Sequence, residues 1–225
     1  MSEARSQILA GLRRSLGREA LSGDAAAALE ARVRGPKAGI VPARTRGLDR
    51  RGLVALFEAY AKEVSCTVVQ VADKSGVPDA VAEYLKGQNL PSEFVVAPDA
   101  LLDSVPWEKR PLLRGRRGTP DGSEQVGVAR AHAGIAETGT LMVCSGARSP
   151  STINFLPETE VVVLPANAIV GAMEEALAKV RAGGAMPRTI NFITGPSRTG
   201  DIEQKIEMGA HGPRRLHIVI VDDAR

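Results

Sequence analysis

The chain has 225 residues, of which 44% are hydrophobic and 24% are charged, and its net charge is only +3. It is long enough for one large core, or for one domain with an arm, and its composition is that of a globular protein. Only 3% of the residues are aromatic, which argues against stacking surfaces for single-stranded nucleic acid, and the mild charge does not indicate a nucleic-acid partner.

Cysteine usage and hydropathy narrow the class of protein further. Cys66 and Cys144 are the two cysteines, and they share no CxxC spacing. They cannot hold an iron–sulfur cluster or a structural zinc by themselves, so we expect two reduced, buried thiols, no metal site and no cofactor bound by this chain. No apolar run approaches the roughly 18 residues of a spanning helix, and the start lacks a secretory apolar segment. We therefore expect a cytoplasmic protein without a membrane span.

Residues 1–47 are predicted to form a helical arm and a linker. Apolar residues recur with helical spacing at Ile8, Leu9, Leu12 and Leu16. A second helical pattern runs from Asp24 to about Val33, and residues 35–47 are rich in Pro and Gly, as linkers are. Two roles remain open for the arm: a docking element that makes a homodimer or binds another protein, or a helix folded back on its own domain.

Residues 48–225 are predicted to form a three-layer α/β domain. Strand-like runs alternate with helical patterns, which is typical of parallel βαβ units. Seven strands are expected, at residues 67–71, 93–97, 126–130, 141–144, 160–164, 190–193 and 216–221. Helices are expected over residues 53–64, 77–86 and 167–181. The basic, glycine-rich segment 109–125 is expected to be a solvated surface loop rather than a phosphate-binding loop.

The first candidate site is the loop 195–200, which follows the strand at 190–193. A short helix is predicted after it, because Ile202 and Ile206 lie one turn apart, and the free N–H groups of a helix start bind anions. Hydroxyl groups and a planar guanidinium suit the same ligand. The predicted ligand-binding residues are Gly195, Ser197, Arg198 and Thr199. The loop lacks the P-loop signature, so an ordinary capped connection with an exposed arginine is the alternative.

The second candidate site is the turn 134–140. Glu137 lies among small and apolar residues, where a carboxylate is costly unless it has a partner. It is the candidate catalytic residue, as a general base or a nucleophile, and an exposed turn glutamate is the alternative. Small neighbours let a ligand approach the backbone, so Thr138, Gly139 and Thr140 are predicted to bind it. His132 and His211 are accessory candidates, with structural hydrogen bonding as the alternative.

The two stretches together carry a family resemblance. GIAETGT at 134–140, ITGPSRTGDIE at 193–203 and GAHGPRRLHIVIVD at 209–222 resemble the LUD-domain family, and within it the lactate-utilisation protein C type. The resemblance implies a NagB/RpiA/CoA-transferase-like fold with a largely parallel sheet. It also implies a role in bacterial oxidation of L-lactate to pyruvate, beside iron–sulfur subunits or flavin-bearing partners. In similar domains a glutamate and small-residue loops at the C-terminal ends of strands bind acyl, sugar-phosphate or nucleotide groups, which matches Glu137 and the loop 195–200.

Three functions remain open from the residues and the resemblance. The first is a non-redox component or accessory factor of a lactate-oxidising complex, with a pocket for a small organic anion or a nucleotide. The second is a stand-alone enzyme of CoA-transferase-like or isomerase-like fold, in which Arg198 holds a carboxylate or phosphate substrate and Glu137 reacts. The third is a ligand sensor without turnover.

Overall fold

The computed structural model describes residues 3–17, 21–36, 39–202 and 205–222. The chain divides into two compact units, residues 1–40 and residues 41–225. In the first unit, α1 spans Glu3–Leu16 and α2 spans Gly23–Arg34, which confirms both predicted helices. None of the described residues of these two helices is buried, so the apolar stripe that predicts α1 remains exposed.

The second unit alternates strands with helices along the chain. Its strands are β1 (Thr67–Val71), β2 (Glu93–Val96), β3 (Arg114–Arg117), β4 (Val126–Arg130), β5 (Ala133–Ile135), β6 (Thr140–Cys144), β7 (Thr159–Pro165), β8 (Ile169–Val170), β9 (Ile190–Ile193), β10 (Arg198–Ile202), β11 (Lys205–Met208) and β12 (Arg215–Val221). Its α-helices are α3 (Arg50–Glu63), α4 (Val77–Gly87), α5 (Ala100–Asp103) and α6 (Met173–Ala182). Short 3-10 helices lie at Ala43–Thr45, Lys74–Gly76, Trp107–Lys109, Ser151–Asn154 and Ala166–Ala168.

A parallel six-stranded sheet forms the middle of this unit, in the order β1-β12-β7-β4-β2-β3. Strands β7 and β12 are buried along nearly their whole length, so they appear in the sequence as continuous apolar runs. One face of the sheet packs on α4 and α5, through side chains such as Val81 and Leu102. The other face packs on α3, where Phe57 is fully buried.

A second, mixed sheet of four strands has the order β8-β5-β6-β9. Its inner face shares a core with α3 and the parallel sheet, through Leu141 and Val143. Its outer face packs on α6, through Ala176 and Val180. The parallel sheet therefore lies between a layer of α4 with α5 and a layer of α3 with the second sheet, whose outer face α6 covers. This arrangement confirms the three-layer α/β prediction.

The number and grouping of the strands differ from the prediction. Of the seven predicted strands, β6 and β9 belong to the second sheet. The sequence does not predict this grouping, because an apolar run indicates a strand but not the strand that it pairs with. Strand β3 lies inside the segment predicted to be a loop, and all four of its residues are exposed, so it has no apolar pattern. The short strands β5 and β8 were also not predicted.

Two helix predictions are wrong. The helix expected over residues 167–181 begins only at Met173, and Ile169–Val170 is strand β8. The helix expected after the loop 195–200 is instead the antiparallel hairpin of β10 and β11, with Arg198 opposite Met208. Ile202 lies at the end of β10 and Ile206 lies in β11, so their spacing of four residues in the sequence joins two strands and does not measure a helical turn. Residues 198–200 of the predicted loop therefore belong to β10, and the helix start predicted to bind an anion there is wrong. Anion binding by the loop residues themselves stays a prediction.

Candidate functional site

The two stretches predicted to form a site are neighbours. Strands β6 and β9 pair antiparallel, with Leu141 opposite Ile193, so the start of one lies beside the end of the other. The Thr140 hydroxyl lies 2.7 Å from the Thr194 hydroxyl and 2.7 Å from that of Thr138. A short chain of hydroxyl groups thus joins the turn 134–140 to the loop 195–200.

Two glycines in these stretches are explained by their contact with α3. Gly139 has a φ of +65°, and a Cβ there would lie 2.4 Å from the backbone nitrogen of Ala61. Gly195 has a φ of +87°, and a Cβ there would lie 2.5 Å from the carbonyl oxygen of Val64. Both the left-handed backbone and the close approach require glycine. The structure therefore gives each of them a packing role on α3.

Glu137 contacts a helix start on the outer side of the second sheet. Its Oε1 atom accepts a hydrogen bond of 2.9 Å from the backbone N–H of Met173, the first residue of α6. A carboxylate is favourable there, because the first N–H groups of a helix have no partner inside the helix and carry partial positive charge. The structure thus gives this half-buried glutamate a capping role.

Two polar side chains of the loop 195–200, those of Ser197 and Arg198, also have partners in the protein. Arg198 donates a hydrogen bond of 2.9 Å from Nη2 to the carbonyl oxygen of Val64, at the C-terminal end of α3. Ser197 accepts one of 3.2 Å at Oγ from the backbone N–H of His211. Thr199 lies opposite Glu207 in the hairpin. These contacts hold the loop between α3 and the segment that precedes β12.

A pocket lies beside this loop, at the edge of the parallel sheet where β7 and β12 begin; we call it the amino-edge pocket. Its volume is about 240 Å³. It is lined by Asn154, Phe155, Glu160, Phe192, Ile193, Thr194, Gly195, Pro196, Ser197, His211, Gly212, Pro213 and Leu216. Two predicted ligand-binding residues, Gly195 and Ser197, and the accessory candidate His211 line this pocket. Glu137, Thr138, Gly139, Thr140, Arg198, Thr199 and His132 are not among the lining residues.

Two buried polar side chains of the pocket were not predicted as site residues. Glu160 is 1% exposed, and its Oε1 atom has no hydrogen-bond partner among the described residues. Asn154 is 2% exposed, and its Oδ1 atom likewise has none there. Burial raises the pKa of the Glu160 carboxyl well above its ordinary value. The sequence does contain a signal for Glu160, which is the acidic residue near the start of an otherwise apolar strand.

Cys66 lies close to the same loop. Burial raises the pKa of its thiol to about 12 and nearby Glu160 raises it too, whereas the Arg198 charge and a backbone hydrogen bond from Gly195 lower it. Such a thiol stays neutral at physiological pH and is a poor nucleophile. Burial also raises the pKa of Cys144, which is only half-buried. Both cysteines are free thiols.

The histidines occupy three different environments. His132 is exposed after β4, and partial burial together with the charges of Arg130 and Lys179 lowers its pKa. His211 is exposed at the rim of the amino-edge pocket. His217 is buried in β12 and stacks on the Tyr84 ring at 3.9 Å between centroids, and burial lowers its pKa to about 4. Within the described ranges, no three His, Cys, Asp or Glu side chains gather as metal ligands do.

The fold is an α/β domain of three layers, with a pocket of about 240 Å³ at the amino edge of its parallel sheet. The family model of the LUD domain matches residues 121–221, which include every residue that lines this pocket. Lactate utilization protein C of Geobacillus sp. (strain WCH70) is 37% identical over 179 residues, which cover 74% of this chain and 71% of that relative. The chain belongs to the LUD-domain family.

Other matches are shorter or concern the fold alone. Lactate utilization protein C of Geobacillus thermodenitrificans (strain NG80-2) is 38% identical over 109 residues, and the match spans less than half of that relative, 45% of its length. The crystal structure of a DUF162 family protein from Deinococcus radiodurans superposes with a TM-score of 0.59 at 22% identity, covering 77% of this chain and 99% of that chain. No helix within the described residues is long and apolar enough to cross a membrane.

Proposed function

We propose that this protein is a non-redox component of a bacterial system that oxidises L-lactate to pyruvate, and that its amino-edge pocket binds a small organic acid of that system. The family and the names of the similar proteins support the pathway. The pocket supports the binding role, because its walls come from the loop 195–197 and the segment 211–213, which lie in the part of the chain that the family model matches.

The size of the pocket is the observation that carries the ligand class. Its volume of about 240 Å³ is below the roughly 300–1,000 Å³ of pockets that take drug-sized ligands. A short organic acid fits such a volume better than a nucleotide does. Apolar walls from Phe192, Ile193 and Leu216 suit a short carbon chain, and the polar groups of Ser197 and Glu160 suit its oxygen atoms.

In this proposal the redox chemistry belongs to partner subunits with iron–sulfur clusters or flavin, and the complex is cytoplasmic. The arm of residues 1–47 is a candidate for docking or for homodimer formation.

Affinity purification of the tagged full-length chain from lactate-grown cells is expected to recover an iron–sulfur partner. Recovery of none, together with normal growth of a deletion strain on L-lactate, would refute the role in lactate oxidation.

A ligand screen tests the pocket itself. Calorimetric titration of L-lactate, pyruvate, acetate and nucleotides into the full-length protein is expected to show binding of the small acids, with a rise in melting temperature. The variant Gly212→Leu should block binding, because Gly212 lines the pocket and a Cβ there meets only ordinary contacts of 3.6 Å or more. The matched control is Gly87→Leu, since a Cβ at Gly87 has no heavy atom within 4 Å and Gly87 does not line the pocket. Equal binding by both variants, or nucleotide binding alone, would contradict the proposal.

A further inference from the structure

Glu160 is the least expected side chain of the amino-edge pocket. It is the second residue of β7, in register with Gly127 of β4 and Leu216 of β12. Because side chains alternate along a strand, it shares a face with Val162 and Leu164, which belong to the core between the two sheets. A polar group in such a place is costly unless something hydrogen-bonds to it. Its Oε1 atom has no such partner among the described residues.

The same pocket offers a second, complementary polar atom. Asn154 Nδ2 donates to the carbonyl oxygen of Ser151 at 3.5 Å, and its Oδ1 atom has no hydrogen-bond partner among the described residues. Glu160 and Asn154 both line the amino-edge pocket. Two buried acceptor atoms without described partners, on two residues that line one pocket, indicate a ligand with at least two polar atoms.

We infer that Glu160 and Asn154 are the ligand-binding pair of this pocket, with the Glu160 carboxyl donating a hydrogen bond to the carboxylate of a short hydroxy acid whose hydroxyl donates to Asn154 Oδ1. This inference rests on the proposed function and specifies the chemistry of its pocket. It also predicts that a hydroxy acid binds more tightly than the corresponding keto acid. The hydroxy acid forms hydrogen bonds with both protein atoms, whereas the keto acid has no donor for Asn154 Oδ1.

The protonation of Glu160 makes this arrangement possible. Burial favours the neutral carboxyl, which carries an O–H donor, and a neutral acid in an apolar site donates a strong hydrogen bond to an anion. Once ionised, the group has no donor and repels the ligand carboxylate. Anion affinity should therefore be highest at low pH and fall as the pH rises through the pKa that Glu160 has in the folded protein.

Other ionisable groups near Glu160 could also make ligand affinity depend on pH, so the experiment must separate their contribution from that of Glu160. Between α3 and β1, Cys66 presents a thiol whose pKa is raised to about 12, and Arg198 lies near that thiol. From the segment before β12, His211 lies at the rim of the pocket. The variant His211→Gln removes the imidazole and serves as the background for the titrations.

The test is calorimetric titration of L-lactate and pyruvate into full-length His211→Gln protein, with and without Glu160→Gln, over the whole pH range in which both proteins stay folded. With Glu160 present, affinity for L-lactate should fall by up to about tenfold per pH unit once the pH exceeds the folded-state pKa of Glu160. The amide of Glu160→Gln keeps a donor and does not titrate, so its affinity should stay constant. Asn154→Leu should reduce L-lactate affinity about tenfold or more and change pyruvate affinity less.

The outcomes separate this inference from the proposed function. If L-lactate binds with the same pH profile in both backgrounds, the role of Glu160 is refuted and the proposed pocket stands. If pyruvate binds as tightly as L-lactate and Asn154→Leu affects both equally, the role of Asn154 is refuted. If no small acid binds at any pH, the proposed function fails as well. Should Asn154→Leu not fold, the pH profiles of the two glutamate backgrounds still decide the role of Glu160.

Discussion

Two glutamates of this domain lie in opposite situations. Glu137 is half-buried, and its carboxylate accepts the first N–H group of α6 at 2.9 Å. Glu160 is 1% exposed in the core between the sheets, and its Oε1 atom has no hydrogen-bond partner among the described residues. The position of Glu137 is explained by its hydrogen bond to the start of α6. Burial of Glu160 without a partner for Oε1 instead lowers the free energy of unfolding. A side chain of the second kind is the better candidate for ligand binding.

The surroundings of the two glutamates differ in the same way. Beside Glu137, the backbone of Gly139 packs directly on α3, and Thr140 hydrogen-bonds to Thr194. Beside Glu160 lies a cavity of about 240 Å³. The turn around Glu137 is therefore a packed junction between α3, α6 and the second sheet. The predictions below test this division between a structural junction and a binding pocket.

The largest effect is expected at Gly139. The substitution Gly139→Ala places a Cβ 2.4 Å from the Ala61 nitrogen in a left-handed backbone conformation, so α3 must move. We expect a loss of at least about 3 kcal/mol in the free energy of unfolding, measured by urea denaturation. Gly200→Ala is the control, because a Cβ at Gly200 has no heavy atom within 4 Å. Equal losses for both variants would show that the junction is not closely packed.

Glu160→Gln is expected to change how stability depends on pH. The folded-state pKa of Glu160 is raised above its unfolded value by burial, so the folded protein binds this proton more tightly. The stability that this contributes is complete below the unfolded pKa and is lost as the pH rises through the folded pKa. The Gln variant should therefore lack this decline and exceed the wild type in melting temperature at alkaline pH. Identical pH profiles for the two proteins would contradict a buried, neutral Glu160.

Glu137→Gln should have a modest effect on stability and none on ligand binding. Loss of the negative charge at the start of α6 should cost about 0.5–1 kcal/mol in the free energy of unfolding. Calorimetric affinity for small acids should stay within about twofold of the wild type. A variant that folds normally but no longer supports growth on L-lactate would instead favour a catalytic Glu137 and the stand-alone enzyme.

A coupling of similar size is expected between the two threonines that join the stretches. Thr140→Val and Thr194→Val each remove one end of the 2.7 Å hydrogen bond between their hydroxyl groups. A double-mutant cycle should give an interaction free energy of about 0.5–1.5 kcal/mol. Purely additive losses would mean that the hydroxyl chain does not hold the turn and the loop together.

A small effect is also expected at Arg198. Its guanidinium is exposed and donates to the Val64 carbonyl oxygen at 2.9 Å. Arg198→Ala should cost about 0.5–1 kcal/mol of stability and reduce small-acid affinity no more than about threefold, because the side chain does not line the pocket. A loss of affinity of about a hundredfold with unchanged stability would restore Arg198 as the anion-binding group.

Much of the fold follows from the sequence, because burial on both faces leaves a strong apolar pattern. The strands β7 and β12 are buried along nearly their whole length, and both are evident as apolar runs. The hairpin of β10 and β11 is missed for a physical reason: Ile202 and Ile206 have the spacing of one helical turn in the sequence, but they lie on different strands. The exposed strand β3 has no apolar side chain to indicate it.

The candidate site is predictable only in part. The motif around Gly195 and Ser197 marks one wall of the pocket, and His211 marks its rim. Glu137 attracts attention because it is polar among small residues, yet a helix start that lies 36 positions later in the chain is its partner. Glu160 is not recognisable as a site residue from the sequence, because only the packing of the two sheets buries its carboxyl group and leaves Oε1 without a partner among the described residues. Long-range partners of polar groups are the information that a single sequence lacks.

The most direct test of the central claim is a crystal structure of the full-length protein in complex with L-lactate. We predict that the ligand occupies the amino-edge pocket, with its carboxylate within hydrogen-bond distance of Glu160 and its hydroxyl within that distance of Asn154 Oδ1. Ligand density at the turn of Glu137 instead, with the amino-edge pocket filled only by solvent, would contradict the account.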